Sequence, residues 1–269
     1  MPELPEVETT AQGIRPHLLQ QRIEKFIIRD RRLRWPISTE IDQLQGQIIR
    51  DVYRRGKYIL ISVDRGTMLW HLGMSGSMRV LPVNSPVSKH EHVEMRLGSG
   101  QALKFRDPRR FGSLLLAGED PMQHRLLCKL GPEPLSDDFN ENYLFKICRK
   151  RSSPIKSVIM DSHKVVGVGN IYACEALFSA GIRPNREAGS ISRKRLARLV
   201  ETIKETLQAA IEKGGTTLQD FNRVDGKPGY FSQSLQVYGV KGNCSTCGKP
   251  IRQIKQNQRS SYFCATCQT

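Results

Sequence analysis

A chain of 269 residues with 42 lysines and arginines against 26 aspartates and glutamates carries a formal charge of +16 and a pI near 9.8. It is long enough to bury a sizeable core and to divide into two domains. Its cations are spread along the chain and no apolar run reaches the length of a spanning helix, which argues against a membrane protein. The charge excess instead favours a polyanionic partner, nucleic acid first, because each phosphate neutralised releases condensed counterions.

The chain opens Met1-Pro2-Glu3-Leu4-Pro5-Glu6. This acidic, proline-bearing start does not read as a secretory signal, and a cytosolic, nucleoid-associated protein is expected. Removal of Met1, which the small Pro2 permits, leaves a secondary amine one residue from a carboxylate. An α-amino group with a pKa of roughly 7.7 to 8.0 is substantially neutral near physiological pH and can attack carbon. With an aldehyde-level carbon, a proline nitrogen gives a permanently charged iminium that acidifies the neighbouring C–H bond. The same residues also suit an ordinary helix start, since proline needs no N–H there and glutamate complements the dipole. Leu4, Val7, Ala11, Ile14 and Leu18 recur at helical spacing, so a helix follows, with Pro16 expected to kink or end it.

From about residue 22 to 117 the pattern changes to eight short β-rich runs: 22–28, 47–53, 58–63, 68–71, 78–81, 92–97, 102–105 and 113–116. Asp64-Arg65-Gly66 and Gly98-Ser99-Gly100 supply turns, and strands without intervening helices predict an antiparallel sandwich. Pro132-Glu133-Pro134 marks a linker. Helical patterns follow over 138–150, with Ser136 as the expected cap, then 155–161, from Asn170 to Gly181, and from Ser192 to Lys213. The expected fold class is α+β, divided into a helix and β-sandwich over 1–131, a helical domain over 132–235 and a ribbon over 236–269.

Of seven cysteines, Cys128, Cys148 and Cys174 are scattered and are expected as small buried hydrophobes. The other four form Cys244-x-x-Cys247 and Cys264-x-x-Cys267, sixteen residues apart. Two knuckles of a short ribbon can offer four thiolates to one tetrahedral zinc with no position left for water, which makes the metal structural. A reducing compartment disfavours the alternative of disulfides.

Four loop motifs stand out. Arg54-Arg55-Gly56-Lys57-Tyr58 lies between two strands, as any solvated turn would. His71-Leu72-Gly73-Met74-Ser75-Gly76 places a flexible Met between glycines, where it either fills a core gap or stands exposed as an apolar wedge. Asp107-Pro108-Arg109-Arg110-Phe111-Gly112 joins a proline turn to a guanidinium and an aromatic. That combination can enter a minor groove and unstack a base step, or it can be a surface arginine beside a core phenylalanine. Val165-Val166-Gly167-Val168-Gly169-Asn170 opens a helix, either to bind phosphate or with Asn170 as a simple cap.

These motifs together, Met1-Pro2-Glu3-Leu4-Pro5-Glu6-Val7-Glu8, the His71–Gly76 and Asp107–Gly112 loops, Gly167-Val168-Gly169-Asn170-Ile171-Tyr172 and the four-cysteine ribbon, strongly resemble bacterial formamidopyrimidine-DNA glycosylases in order and over essentially the whole length. The resemblance implies a helix and β-sandwich, then a helix-two-turns-helix domain ending in a zinc finger, with double-stranded DNA in a cleft and one structural zinc ion. It implies excision of 8-oxoguanine and formamidopyrimidines followed by strand cleavage at the abasic site, by a monomer.

By the same resemblance Pro2 is the nucleophile, Glu3 handles protons on the sugar, and Lys57 is the acid or electrostatic partner during β-elimination. Arg259 is the finger-tip arginine that clamps phosphate and assists δ-elimination. Met74, Arg109 and Phe111 fill the hole left by the everted nucleotide, Arg109 suiting the edge of an opposite cytosine. His90, Arg151, Lys156 and Asn170 are transferred as DNA-backbone contacts. Gly226–Tyr230 through Gln236–Gly239 resembles the loop that closes over the everted base. Ser261 replaces an expected threonine and Val240 an expected arginine. A sister reading is an endonuclease VIII-like enzyme for oxidised pyrimidines, against which the Leu4-Pro5 start and the Arg109/Phe111 pair speak. A different class is a non-catalytic damaged-DNA or zinc-ribbon binding protein.

Overall fold

The computed structural model describes residues 2–216 and 231–269; the Gly226–Tyr230 part of the expected lesion loop lies outside them. The chain forms two compact units. The first runs to Cys128 and takes in a return segment from Lys213; the second comprises Lys129–Glu212 and Phe231–Thr269.

In the first unit, α1 (Leu4–Leu18) precedes eight strands: β1 (Ile23–Ile28), β2 (Ile49–Arg55), β3 (Tyr58–Val63), β4 (Thr67–His71), β5 (Ser77–Pro82), β6 (Glu91–Leu97), β7 (Gln101–Arg106) and β8 (Ser113–Ala117). They build two four-stranded antiparallel sheets, ordered β1-β6-β7-β5 and β2-β3-β4-β8. Each strand presents β-branched or large apolar residues to a shared core. Trp70 of β4 meets Phe105 of β7 edge-on with ring centroids 5.4 Å apart, joining one sheet to the other. The apolar stripe of α1 (Val7, Ala11, Ile14, Leu18) is buried in the same core. Pro16 does not end this helix. It sits in the last turn, where one lost N–H bond is tolerated, and the full burial of Leu18 holds that turn in place.

The second unit holds α2 (Glu141–Cys148), α3 (Ile155–Ile159), α4 (Asn170–Ser179), α5 (Arg193–Glu212) and a hairpin of β9 (Ile251–Gln256) and β10 (Arg259–Cys264). The cap of α2 is Asn140, whose side chain accepts the Tyr143 N–H at 3.0 Å. The expected cap, Ser136, instead donates to the Glu133 carbonyl. Cys148 and Cys174 are buried as expected, but Cys128 is exposed, in a turn that follows β8.

Candidate active site and metal ribbon

Pro2 and Glu3 are buried, Glu3 at 3 % exposure. A proline-rich start can be helical because Pro5 falls in the first turn, where its missing N–H is not needed. Glu3 caps α1 through a reciprocal box with Glu6: the Glu3 N–H donates to Glu6 Oε2 at 2.8 Å while the Glu3 side chain accepts from the Glu6 backbone. The second Glu6 oxygen accepts the Thr216 N–H at 2.7 Å. One buried carboxylate thus fixes both the first turn and the return segment that begins at Lys213. Gly215, at φ +82°, lies so close that a Cβ would sit 3.1 Å from Glu6 Oε1.

Arg55 and Tyr58 pair across a two-residue hairpin loop whose first central position is Gly56 at φ 59°. A glycine there suits the type II′ turn and leaves Lys57 at the tip. The turn is tied to α1 by Arg54, which bonds Glu8 Oε2 at 2.6 Å and the Gly56 carbonyl at 3.0 Å. Beyond it, His71 is held neutral. Burial, then the charges of Lys57 and Arg34, push its pKa down to about 4. Its Nδ1 accepts the Gly73 N–H at 2.9 Å, so the proton resides on Nε2, which is left to donate. Between the ordinary value near 6.5 and about 4 the unfolded chain takes up a proton that the fold refuses, so this group's contribution to stability is present above pH 6.5 and lost as pH falls through 4. Thermal unfolding of His71→Gln should therefore lose less stability than the wild type on acidification from pH 6.5 to 4; equal losses would refute that assignment.

The Met74 and Arg109/Phe111 loops are one structure, organised by Asp107. Its carboxylate accepts from Ser75 Oγ at 3.0 Å and from the N–H groups of Gly112 at 2.7 Å and Arg109 at 3.3 Å, while its carbonyl meets His92 Nε2 at 2.8 Å. Gly73, at φ +66°, packs on the second loop so tightly that a Cβ would lie 2.4 Å from the Gly112 nitrogen. Met74 is partly buried, Phe111 is 46 % exposed, and the Arg109 guanidinium lies 4.9 Å from the Phe111 ring centroid. Phe111 is therefore not a core residue. Gly73→Ala should force the loops apart and destabilise by more than about 1 kcal/mol, since both the φ and the space forbid a side chain; an unchanged melting temperature would contradict this. His90, at φ 67°, adjoins the same cluster through its carbonyl, which accepts the Asp107 N–H at 3.0 Å.

In the second unit Lys156 is 2 % exposed. Its Nζ donates to Asn170 Oδ1 at 2.5 Å, Ser261 Oγ at 2.6 Å and the Ser260 carbonyl at 3.2 Å. Asn170 in turn donates to the Ser260 carbonyl at 2.9 Å and to Tyr238 OH at 3.4 Å. The cap of α4 is Gly169, not Asn170, whose side chain faces this network. Glu175, on the same helix, accepts the N–H groups of Gln236, Val237 and Tyr238 at 2.8 to 3.0 Å and so seats Tyr238. Gln256 and Arg259 pair across Asn257 and Gln258, both at positive φ, which makes a type I′ turn with exposed Arg259 just beyond it. Asn257 Nδ2 donates to Ser157 Oγ at 3.0 Å, and a cavity of about 230 Å³ is lined by Lys156, Ser157, Asn257 and Arg259 among others. Arg151 stands apart from this group, exposed between α2 and α3.

The four ribbon cysteines place their Sγ atoms within 4.8 Å of one another, with Cys244 to Cys267 at 3.8 Å and Cys247 to Cys264 at 3.4 Å. A tetrahedron of sulfurs about 2.3 Å from zinc has edges of about 3.8 Å, so the set fits one such ion. Burial opposes ionisation of Cys264, but the N–H groups of Cys267 and Thr266 and the thiols of Cys247 and Cys267 together bring its pKa down to about 6. Gln268, fully buried, accepts the Cys264 N–H at 2.8 Å and donates to the Ile182 carbonyl at 2.7 Å, locking the knuckle to the helical part.

Sequence reasoning did not single out Glu6 and Glu175 as anchors. His71 was visible as the first residue of its motif; the two glutamates carried no local signal.

A buried Pro2-Glu3 start at the head of α1, on a chain that also carries a four-cysteine ribbon fit for one zinc ion, defines a zinc-ribbon protein. The sequence pattern of the formamidopyrimidine-DNA glycosylase N-terminal domain matches residues 1–114, that of the H2TH domain of the same enzymes residues 130–222, and a zinc finger found in FPG and IleRS residues 243–269. The chain is 56 % identical to the formamidopyrimidine-DNA glycosylase of Stutzerimonas stutzeri and 53 % identical to that of Photobacterium profundum, each over the full length of both chains. Among solved structures it is similar to Lactococcus lactis Fpg in complex with abasic-site DNA (32 % identity, TM-score 0.92, all of both chains) and to Thermus thermophilus MutM (38 %, 0.88, 99 % and 98 % of the two chains). The chain belongs to the formamidopyrimidine-DNA glycosylase family.

Proposed function

We propose that this enzyme excises oxidised purines from duplex DNA and then cleaves the strand at the abasic site. The observation that carries the reading is the buried Pro2-Glu3 start, held by Glu6 at the head of α1. Eversion of the lesion nucleotide costs a few kcal/mol and exposes its sugar. The Pro2 nitrogen, freed by removal of Met1, forms a bond to C1′ as the C1′–base bond breaks and the base leaves with its electron pair and a proton. The nitrogen lone pair then breaks the C1′–O4′ bond, O4′ taking a proton from Glu3, and the resulting iminium acidifies the C2′ proton; its loss expels the 3′ phosphate, and a further elimination expels the 5′ phosphate. Glu3 carries protons on the sugar, and Lys57 and Arg259 offset the charge developing on the phosphates. Met74, Arg109 and Phe111 fill the vacated stack. His90, Arg151 and Asn170 meet the backbone, and buried Lys156 supports Asn170. The division 1–131, 132–235 and 236–269 is part of this reading.

DNA complexes of Lactococcus lactis Fpg contain N7-benzyl-Fapy-dG, an abasic site or an oxidised pyrimidine. A panel of 8-oxoguanine opposite cytosine against thymine glycol tests the purine preference here. Among the described residues no helix is long and apolar enough to cross a membrane, and a monomer in the bacterial cytoplasm, at the nucleoid, is part of the proposal. Borohydride added to enzyme and abasic duplex should trap one covalent adduct mapping to the N-terminal peptide. A preparation retaining Met1 should give none. An adduct elsewhere, or full activity with the terminus blocked, would end the proposal.

A further inference from the structure

The segment Arg29-Asp30-Arg31-Arg32-Leu33-Arg34 contains four arginines, and three of them are matched by acids. Arg29 pairs with Glu91 and Glu94, Arg31 with Asp42 and Arg32 with Asp30. Arg34 meets no carboxylate among the described residues. Its guanidinium instead lies 4.8 Å from the centroid of Trp35, and the same ring carries a second arginine, Arg125, at 5.5 Å. Arg125 is likewise without an acid among the described residues, and both guanidiniums are exposed. A third group registers their convergence: burial pushes the Tyr58 hydroxyl pKa up, and the charges of both Arg34 and Arg125 oppose that shift. Two like charges gathered about one aromatic ring, in a chain that pairs the neighbouring arginines, offer a site for an anion.

The patch adjoins the site already described on two sides. Tyr58 stacks against His71 with centroids 5.0 Å apart, and the Arg34 N–H donates to the Gly112 carbonyl, next to Phe111, at 3.0 Å. We propose that Arg34 and Arg125, seated on Trp35, form a clamp for a DNA backbone phosphate beyond the everted nucleotide. The stacked guanidiniums are pre-oriented and offer forked N–H donors that match phosphate oxygens, while the ring limits their freedom. The clamp rests on the reading of this unit as DNA-binding and adds to it a contact outside the reacting nucleotide.

The test is the salt dependence of equilibrium binding to a duplex with an abasic-site analogue, for wild type, Arg125→Ala, Arg34→Ala and the double variant. Each lost phosphate contact should flatten the slope of log K against log salt by about 0.9. The double variant is expected to bind several-fold more weakly at low salt, with the difference shrinking as salt rises. Trp35→Ala should reproduce the weakening and Trp35→Phe should restore most of it, because the platform is aromatic. Arg125 lies in an exposed turn, so its single variant reads the clamp even if the double variant folds poorly. A wild-type slope in both Arg125→Ala and Arg34→Ala would overturn the clamp while leaving the glycosylase reading intact. Failure of the wild type to bind the duplex would instead remove that reading. Loss of binding to polyglutamate in the variants, with duplex binding unchanged, would assign the patch to an acidic protein and also overturn the clamp.

Discussion

Glu3→Gln should slow single-turnover base excision by roughly 10²- to 10⁴-fold, the range a positioned proton carrier contributes. The structure makes this substitution clean. The amide oxygen of glutamine can still accept the backbone bond that caps α1, and Glu6 still accepts the Glu3 N–H and the Thr216 N–H. The loss should therefore fall on chemistry rather than folding, with the melting temperature near that of the wild type and binding to an abasic-site analogue retained. Glu6→Gln provides the contrast. Both of its oxygens accept N–H groups, and an amide can offer only one oxygen, so one buried N–H meets an NH₂ group and stability falls by about 1–3 kcal/mol. If Glu3→Gln instead lowered stability as much as Glu6→Gln and left the excision rate alone, Glu3 would be a cap and nothing more.

Stripping the metal should have the second large effect, and one that reaches past the ribbon. Structural zinc sites contribute about 10–16 kcal/mol of apparent binding energy, most of which is folding energy for a small ribbon. Here the ribbon also closes a cluster containing Cys174, Phe178 and Val237, and it supplies two of the acceptors of buried Lys156, the Ser260 carbonyl and Ser261 Oγ. Chelation should thus unfold β9 and β10 and leave Lys156 partly unsatisfied beside Asn170. Hydrogen exchange should show lost protection over 251–264 and at the start of α4, together with loss of strand cleavage. Arg259→Ala removes a side chain that makes no contact with the metal set. It should weaken strand cleavage and DNA binding with the full metal content kept, as a metallochromic indicator would read. Metal loss in Arg259→Ala, or an apo protein with protected β9 and β10, would refute this division of labour.

Much of the fold was legible because its signals are local. The runs at 58–63 and 113–116 alternate or cluster apolar residues at strand length, and the structure places β3 and β8 there with boundaries shifted by a residue at most. The errors were at boundaries, where side-chain choice depends on neighbours. Pro16 was read as a kink or end without knowledge that Leu18 would be buried, and Ser136 as a cap although Asn140 stands nearer the first turn. Cys128 was judged by residue type, which says nothing about what covers a turn.

The sequence by itself determined the family of this protein and the chemistry proposed for it. Proline behind the initiator with glutamate next to it, two close cysteine pairs, and a basic chain each follow from residue identity and spacing, which a linear text preserves. Only the tertiary structure decided which groups hold that chemistry in place. Glu6 and Thr216 are 210 residues apart and Lys156 and Ser261 are 105, yet each pair is within 2.7 Å. Asp107 fastens two loops, and Arg34 and Arg125 meet on one ring. Such contacts arise when β-strand register and helix packing bring distant segments together to satisfy buried donors and acceptors, and nothing in the local sequence marks which partner a buried carboxylate or ammonium will find.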